Sequence, residues 1–348
     1  MRVTTGTAFD SSGGLTVYVN NTVAAEMSIS VVSIPDSTDN TTITGLSGSN
    51  NWAGGVLAGN GKIYGIPRHA TTVLIIDPTR DTADTSTITG LSGTNKWQGG
   101  VLAANGKIYG IPRSASSVLI IDPTTDTVSF ITGLSGSNNW DEGVLAGNGK
   151  VYSIPCSASS VMIIDPTTDT ADTSTIPSSE SNGWRGGALA GNGRIYACPR
   201  AATSVLIIDP TTDTADTSSI AGLSSDSNKW YGGVLAGNGN MYCIPSAADG
   251  VLVVNPSTNS WSTIGGLGTV TNSKYWGGVL AGNGKIYAMP LRSESVLIID
   301  PSTDTMEWTL STGDSSDNKW AGGVLAGNGK IYGKAGCFLV SKTLPFFS

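Results

Sequence analysis

Charge is scarce in this chain. Asp, Glu, Lys and Arg make up 13% of its 348 residues, and 19 basic residues stand against 26 acidic ones, a net charge of −7. Nucleic acids and anionic membranes are bound through a basic face that neutralises phosphates, so this balance argues against both partners. Histidine is nearly missing: His69 stands alone, which removes His-based metal clusters and leaves one candidate for a Ser–His pair, at a position that reads as a solvated loop. The four cysteines, Cys156, Cys198, Cys243 and Cys337, have no CxxC spacing, which argues against zinc. No apolar run approaches the roughly 18 residues of a membrane span. No apolar segment of a signal peptide follows Met1, and no stretch keeps a helical apolar period. The Gly-Asn-Gly runs precede strands rather than opening helices, so they are not phosphate loops, and no cofactor is expected.

Glycine and proline, by contrast, punctuate the chain densely, at 46 and 15 residues. One pattern recurs almost throughout. Its first clear copy runs Trp52-Ala53-Gly54-Gly55-Val56-Leu57-Ala58-Gly59-Asn60-Gly61-Lys62-Ile63-Tyr64-Gly65-Ile66-Pro67-Arg68, then through Val73-Leu74-Ile75-Ile76-Asp77-Pro78 to Ile88-Thr89-Gly90-Leu91. Copies begin at Trp52, Trp97, Trp140, Trp184, Trp230, Tyr275 and Trp320, at steps of 43 to 46 residues. A period of about 40 to 50 residues with several strand-like runs is the mark of propeller blades.

Turn chemistry divides each copy into four strands, A to D. Strand A (Gly-Gly-Val-Leu-Ala) ends at Asn-Gly, a dipeptide suited to a type I′ hairpin turn. Strand B (Lys-Ile-Tyr-Gly-Ile) stops at a Pro that cannot donate to a ladder. Strand C (Val-Leu-Ile-Ile) is continuously apolar, as expected of a strand buried on both faces. Asp-Pro-Thr-Thr-Asp-Thr then leads to strand D, centred on Ile88 in the first copy. The "GNGKIY" and "VLIIDPTTDT" runs resemble those of kelch and YVTN-type propellers, with Ile-Pro-Arg where kelch blades carry a Gly pair after strand B. The resemblance covers about residues 31 to 342 and implies a fold rather than a function.

The expectation is therefore an all-β, seven-bladed propeller of four-stranded antiparallel blades over residues 31–348. The last copy lacks strand D, and Thr42-Ile43-Thr44-Gly45-Leu46-Ser47 copies Ile88-Thr89-Gly90-Leu91-Ser92. Residues 41–47 are thus expected to complete the final blade as an N-terminal strand, with 1–30 forming an extra hairpin or cap.

In such a ring the B–C and D–A loops share one face, where Trp, Asn and Arg recur. That face is the expected contact surface of a non-enzymatic binding or scaffold module for a protein or other ligand. Its candidate residues are Trp52, Trp97, Trp140, Trp184, Trp230, Tyr275 and Trp320 beside Arg68, Arg113 and Arg200, with Arg292 as a further basic residue. Aromatic faces and guanidinium groups suit sugars, cations and carboxylates, so a multivalent lectin is one alternative. Packing of each Trp between blades, with Arg covering it, is the plainer reading.

Near-identical loops argue against an active site, which needs different groups converging on one spot. The exception is Asp141-Glu142, where Glu142 replaces a Gly of the other copies and Arg185 follows in the next blade. Those three residues are the candidates for a lyase or hydrolase. The Asp77, Asp81, Asp84 series and its copy Asp165, Asp169, Asp172 have spacings better suited to turns than to calcium. Cys198 and Cys243 are expected to point to opposite faces of their own blades. They read as buried free thiols, or as a bridge across blades four and five.

Overall fold

The computed structural model describes residues 36–39, 41–46, 50–134, 140–178, 180, 182–268, 273–313 and 320–333, together with the short strands Thr5–Phe9, Leu15–Val19, Thr22–Met27 and Gly336–Cys337. Two compact units are present, residues 1–35 and 36–348. The first contains a three-stranded antiparallel sheet in sequential order, Thr5–Phe9, Leu15–Val19 and Thr22–Met27.

The second unit is a β-propeller built from six four-stranded antiparallel blades, not seven. Their innermost strands are Trp52–Leu57, Trp97–Leu102, Trp140–Leu145, Trp184–Leu189, Trp230–Leu235 and Tyr275–Leu280. Among the described residues the last repeat yields only a three-stranded sheet, Gly323–Leu325, Ile331–Gly333 and Gly336–Cys337, whose first strand contacts the innermost strands of blades six and one. Residues 338–340, which stand in the place of strand C in this repeat, lie outside the described residues. No strand forms at Thr41–Leu46 either, and Ser47 is not described. The reason is local. Asp39 accepts hydrogen bonds from the backbone N–H of Thr41 (2.8 Å) and Thr42 (3.1 Å), an Asx turn that competes with a ladder. Ile43 is nevertheless buried beside Trp52, Ile76 and Tyr332.

The same turn shortens strand D of blade one to Thr82–Asp84, ending before the Ile88 on which it was expected to centre. Asp84 accepts from the Ser86 N–H, and these two hydrogen-bonding neighbours, Thr87 ahead of Ser86, hold its carboxyl at about 2. The A–B hairpin also differs from the expected type I′ turn. Gly61 N–H donates to Ala58 O and Ala58 N–H to Lys62 O, with only Gly61 at positive φ (79°). This is a three-residue loop, a type I turn closed by a left-handed glycine.

Strand C is buried on both faces, as in Leu119, Ile120 and Ile121. Consecutive blades pack through these apolar faces, which join into shared clusters such as that of Tyr64, Ile66, Trp97, Ile108 and Leu119. A polar latch repeats at each junction. The Tyr of strand B donates to an Asp in the C–D turn of the next blade: Tyr64 to Asp126 (2.6 Å), Tyr109 to Asp169 (2.5 Å), Tyr152 to Asp213 (2.5 Å) and Tyr242 to Asp304 (2.6 Å). Tyr196 meets Asn259, Tyr332 meets Asp81, and Tyr287 meets Asp36 (2.7 Å). Burial, followed by the carboxylate partner, pushes the Tyr64, Tyr109, Tyr152 and Tyr242 hydroxyls up to about 12. They remain donors at any ordinary pH.

Candidate functional site

Each innermost strand carries a β-bulge two residues after its start: Trp97 pairs Pro112, but Gly100 already pairs Gly110. A bulge inserts a residue and re-aims a side chain. Here the residue following the aromatic is turned toward the propeller axis, where neighbouring blades meet side chain to side chain. Those positions are Ala53, Gln98, Asp141, Arg185, Tyr231, Trp276 and Ala321. The next residue adopts positive φ, at Gly54 (77°), Gly99 (72°) and Gly232 (86°) among others. Glycine is required there by crowding as well as by φ. A Cβ on Gly54 would stand 3.0 Å from the Gly99 Cα, and one on Gly232 would stand 2.9 Å from the Gly277 Cα.

Glu142 breaks this glycine ring, at φ 65°, a conformation that costs a non-glycine residue about 1–2 kcal/mol. Its carboxylate lies against Gly186 of the next blade and lines an axial cavity of about 170 Å3, otherwise walled by glycines of the innermost strands. Burial, then the neighbouring Asp141 charge, pushes its carboxyl up to about 7 from an ordinary 4.5, with Arg185 opposing. Because the folded-state value is raised, ionisation of Glu142 opposes folding. That penalty is absent below about pH 4.5 and fully developed above pH 7. Glu142→Gln is therefore expected to be more stable than the native chain by roughly 1–3 kcal/mol at pH 8, with the difference vanishing near pH 4. Urea midpoints at the two pH values check this.

Above the cavity lies a charged and aromatic cluster. Arg185 and Asp141 form an ion pair, with side chains 2% and 1% exposed. Gln98 donates to Asp141 through Nε2 and accepts from Arg113 through Oε1, and Arg113 stands 3.8 Å from the Asp141 carboxylate. The Arg185 guanidinium lies 4.2 Å from the Tyr231 ring centre and 4.9 Å from that of Trp276. Its Nη2 has no hydrogen-bond partner among the described residues. Burial works against its charge, but Asp141 together with Tyr231, Cys156 and Glu142 outweighs it, so its pKa is raised.

Arg68 reaches within 5.7 Å of the Trp276 ring centre, and Arg200 comes within 5.9 Å of that of Tyr231. Both are held by asparagines: Arg68 Nε donates to Asn95 (3.0 Å), Arg200 Nε to Asn228 (3.0 Å) and Arg200 Nη1 to Asn182 (2.6 Å). Burial first, then repulsion from Arg113 and Arg185, lowers Arg68 to about 10. Arg113 is lowered too, by burial first, with Asp141 opposing and Arg185 and Arg200 adding to it.

The aromatic residues that open each repeat are not ligand platforms. Trp52, Trp97, Trp140, Trp184, Trp230, Tyr275 and Trp320 are all 6% exposed or less. Five of the indole N–H groups donate to backbone carbonyls: Trp52 to Thr72, Trp97 to Ser117, Trp140 to Ser160, Trp184 to Ser204 and Trp230 to Gly250. They wedge between blades, so the expected repeated Trp face is replaced by a single cluster at the axis.

That cluster gathers Arg68, Arg113, Arg200, Asp141, Glu142 and Arg185 from the sequence candidates. It adds Gln98, Tyr231 and Trp276, which the sequence reading passed over. Their signal was present in the repeat, since they occupy the very position of Asp141 and Arg185. Cys198 and Cys243 are joined in a disulfide across blades four and five, not free thiols, while Cys156 is a buried free cysteine. The Asp series makes turns and latches: Asp77 accepts from the Thr79 N–H (2.9 Å). Among the described residues no group of three or more His, Cys, Asp or Glu is placed to hold a metal ion.

No protein-family model matches the sequence, and no curated protein matches it either. Solved structures do resemble it in fold. Virginiamycin B lyase from Staphylococcus aureus aligns with a TM-score of 0.71 at 10% identity, covering 87% of this chain and 98% of that one. Hydrazine synthase from Kuenenia stuttgartiensis aligns at 0.63 and 12% identity, covering 88% and 96%. The extracellular domain of a putative one-component system from B. thetaiotaomicron aligns at 0.66 and 12% identity, covering 97% of this chain but 47% of that one. These likenesses establish the β-propeller and extend no further. Among the described residues no helix is long and apolar enough to cross a membrane.

Proposed function

We propose that this chain is a non-catalytic binding propeller that takes an anionic group, a carboxylate, sulfate or phosphate, at the axial end formed by the B–C and D–A loops. One observation carries the reading. In a chain of net charge −7, the side chains of Arg68, Arg113, Arg185 and Arg200 come together on one spot, where among the described residues the acidic groups opposing them are Asp141 and Glu142. Guanidinium groups donate in a rigid fork that matches such oxyanions. Tyr231, Trp276, Leu291 and Ala321 form a buried apolar cluster directly against these guanidinium groups, which holds them in place for the ligand. The disulfide fits an oxidising compartment, in keeping with a receptor that works outside the cytoplasm.

Calorimetric titration with sulfate, inorganic phosphate and citrate at low ionic strength tests this. Binding should weaken as pH rises through 7, because ionised Glu142 adds an opposing charge, and should fall at least tenfold in the Arg68→Gln/Arg200→Gln variant. Equal affinity in that variant would sink the proposal. A second reading rests on Glu142 alone: a carboxyl at about 7 is suited to general acid–base work. Asp141 and Arg185 are engaged with each other, so Glu142 would be the proton carrier. Turnover of any substrate, abolished in Glu142→Gln, would favour that reading.

A further inference from the structure

Two grooves away from the axis occupy the same place in the repeat. One, of about 470 Å3, lies between blades one and two; the other, of about 670 Å3, lies between blades four and five. Each is walled by a D–A loop, a B–C loop, the edge of the buried Trp that opens the next blade, and a strand D residue. Phe130 and Thr263 are equivalent strand D residues, paired with Leu119 and Leu252 respectively. In volume both fall within the range of small-molecule sites.

Their lining has a distinctive chemistry. In the smaller groove the hydroxyl groups of Ser92, Thr94, Ser114 and Ser116 are engaged by no other described residue. The one cation, Lys96, is already taken by the carbonyls of Ala70 (2.7 Å) and Gly93 (2.9 Å). Phe130 stands 44% exposed, its ring stacked on Trp97 with centroids 6.0 Å apart. In the larger groove Lys229 is likewise taken, by Ala202 (3.0 Å) and Asp226 (2.8 Å) carbonyls. Asp226 and Asp249 there offer carboxylate acceptors.

With its ammonium groups committed, neither groove suits an anion. With hydroxyls along the walls, neither suits a purely apolar ligand. Unengaged hydroxyls beside the Phe130 ring in one groove complement a ring that carries several hydroxyls on one side and C–H groups on the other. In the other, Asp226 accepts from Ser224 and Asp249 from the Gly268 N–H, each through one oxygen, which leaves the second oxygen to accept from a ligand hydroxyl. We propose that these grooves are subsites for neutral glycans, with Phe130 as the stacking platform in one and Asp226 and Asp249 as acceptors in the other. Their recurrence at two blade junctions makes the chain multivalent, so weak single sites sum to useful avidity on a dense glycan surface. Phe130, Asp226 and Asp249 are not part of the axial anion site, which meets the larger groove at Asn228, the partner of Arg200.

The test displays the full chain multivalently on an array of neutral, sialylated and sulfated oligosaccharides, followed by NMR titration of the best neutral binder. Capture of neutral glycans is expected, weakened about two- to tenfold by Phe130→Ala and unchanged in Arg68→Gln/Arg200→Gln. Thr263→Trp, which adds a platform to the second groove, is expected to strengthen capture by a similar factor. Silence across all neutral glycans would overturn the proposal. So would capture confined to charged glycans and lost with the two arginines, or neutral capture indifferent to both Phe130→Ala and Thr263→Trp.

Discussion

Arg185→Leu is expected to destabilise the propeller by about 3–5 kcal/mol, because it leaves the Asp141 carboxylate buried without its counter-charge. Asp141 is 1% exposed and Arg185 2%, so water cannot replace the missing partner. Arg113, at 3.8 Å, and Gln98 would remain beside Asp141 and soften the loss, which places the expectation at the lower end. The stack on Tyr231 and Trp276 would lose its cation as well, worth about 2 kcal/mol when desolvated. Removing both charges is a different matter. The Arg185→Leu/Asp141→Leu double variant should recover most of the loss, since a paired apolar replacement avoids the desolvation of either ion. Denaturant midpoints for the two single variants and the double close the cycle. A cost below about 1 kcal/mol for Arg185→Leu would show that the pair is not buried as described.

Loss of the Cys198–Cys243 bridge should weaken the fold by a comparable amount. It closes a loop of 45 residues, for which the chain-entropy account gives about 4 kcal/mol. Both sulfurs are fully buried in the core shared by blades four and five, so Cys198→Ala/Cys243→Ala avoids placing hydroxyl groups there. Unfolding of that variant should match unfolding of the native chain under reductant, and alkylation without reductant should spare Cys198 and Cys243 in the unfolded native chain. Alkylation of both would show them unlinked.

Much of the fold was legible because each strand is bounded by residues whose backbone chemistry is local. Pro67 and its copies stop strand B, glycine ends the A–B loop, and Leu-Ile-Ile runs mark the doubly buried strand C. The count of complete blades was not legible. Thr42-Ile43-Thr44 copies a stretch that is itself mostly turn, since Ser86 and Thr87 bond back to Asp84, so likeness to Ile88 did not imply a strand. The latch of Tyr64 to Asp126 was hidden for another reason. Both residue types recur in nearly every copy, and sequence alone does not tell whether a tyrosine meets the aspartate of its own repeat or the next.

The candidate site divides in the same way. Asp141, Glu142 and Arg185 stood out by departing from the repeat. Tyr231 and Trp276 also depart from the repeat, but each stands beside another aromatic, Trp230 and Tyr275, and sequence alone does not tell which member of such a pair faces the axis. The burial of Trp97 and its equivalents depends on which way the first residue of a bulged strand faces, and periodicity is silent on that.

The bond from Tyr287 to Asp36 spans 251 positions, and this imposes an order of events during synthesis. Asp36 leaves the ribosome early and waits while the intervening residues are made, about 10–50 s at ordinary elongation rates. Blades two to five acquire their neighbours as they emerge, and Ile43 can seat on blade one early, but Asp36 has no partner until Tyr287 of the sixth blade is made. Nascent chains halted before residue 287 should therefore leave the chain around Asp36 and Thr38 open to protease, and chains that have released residue 311 should not.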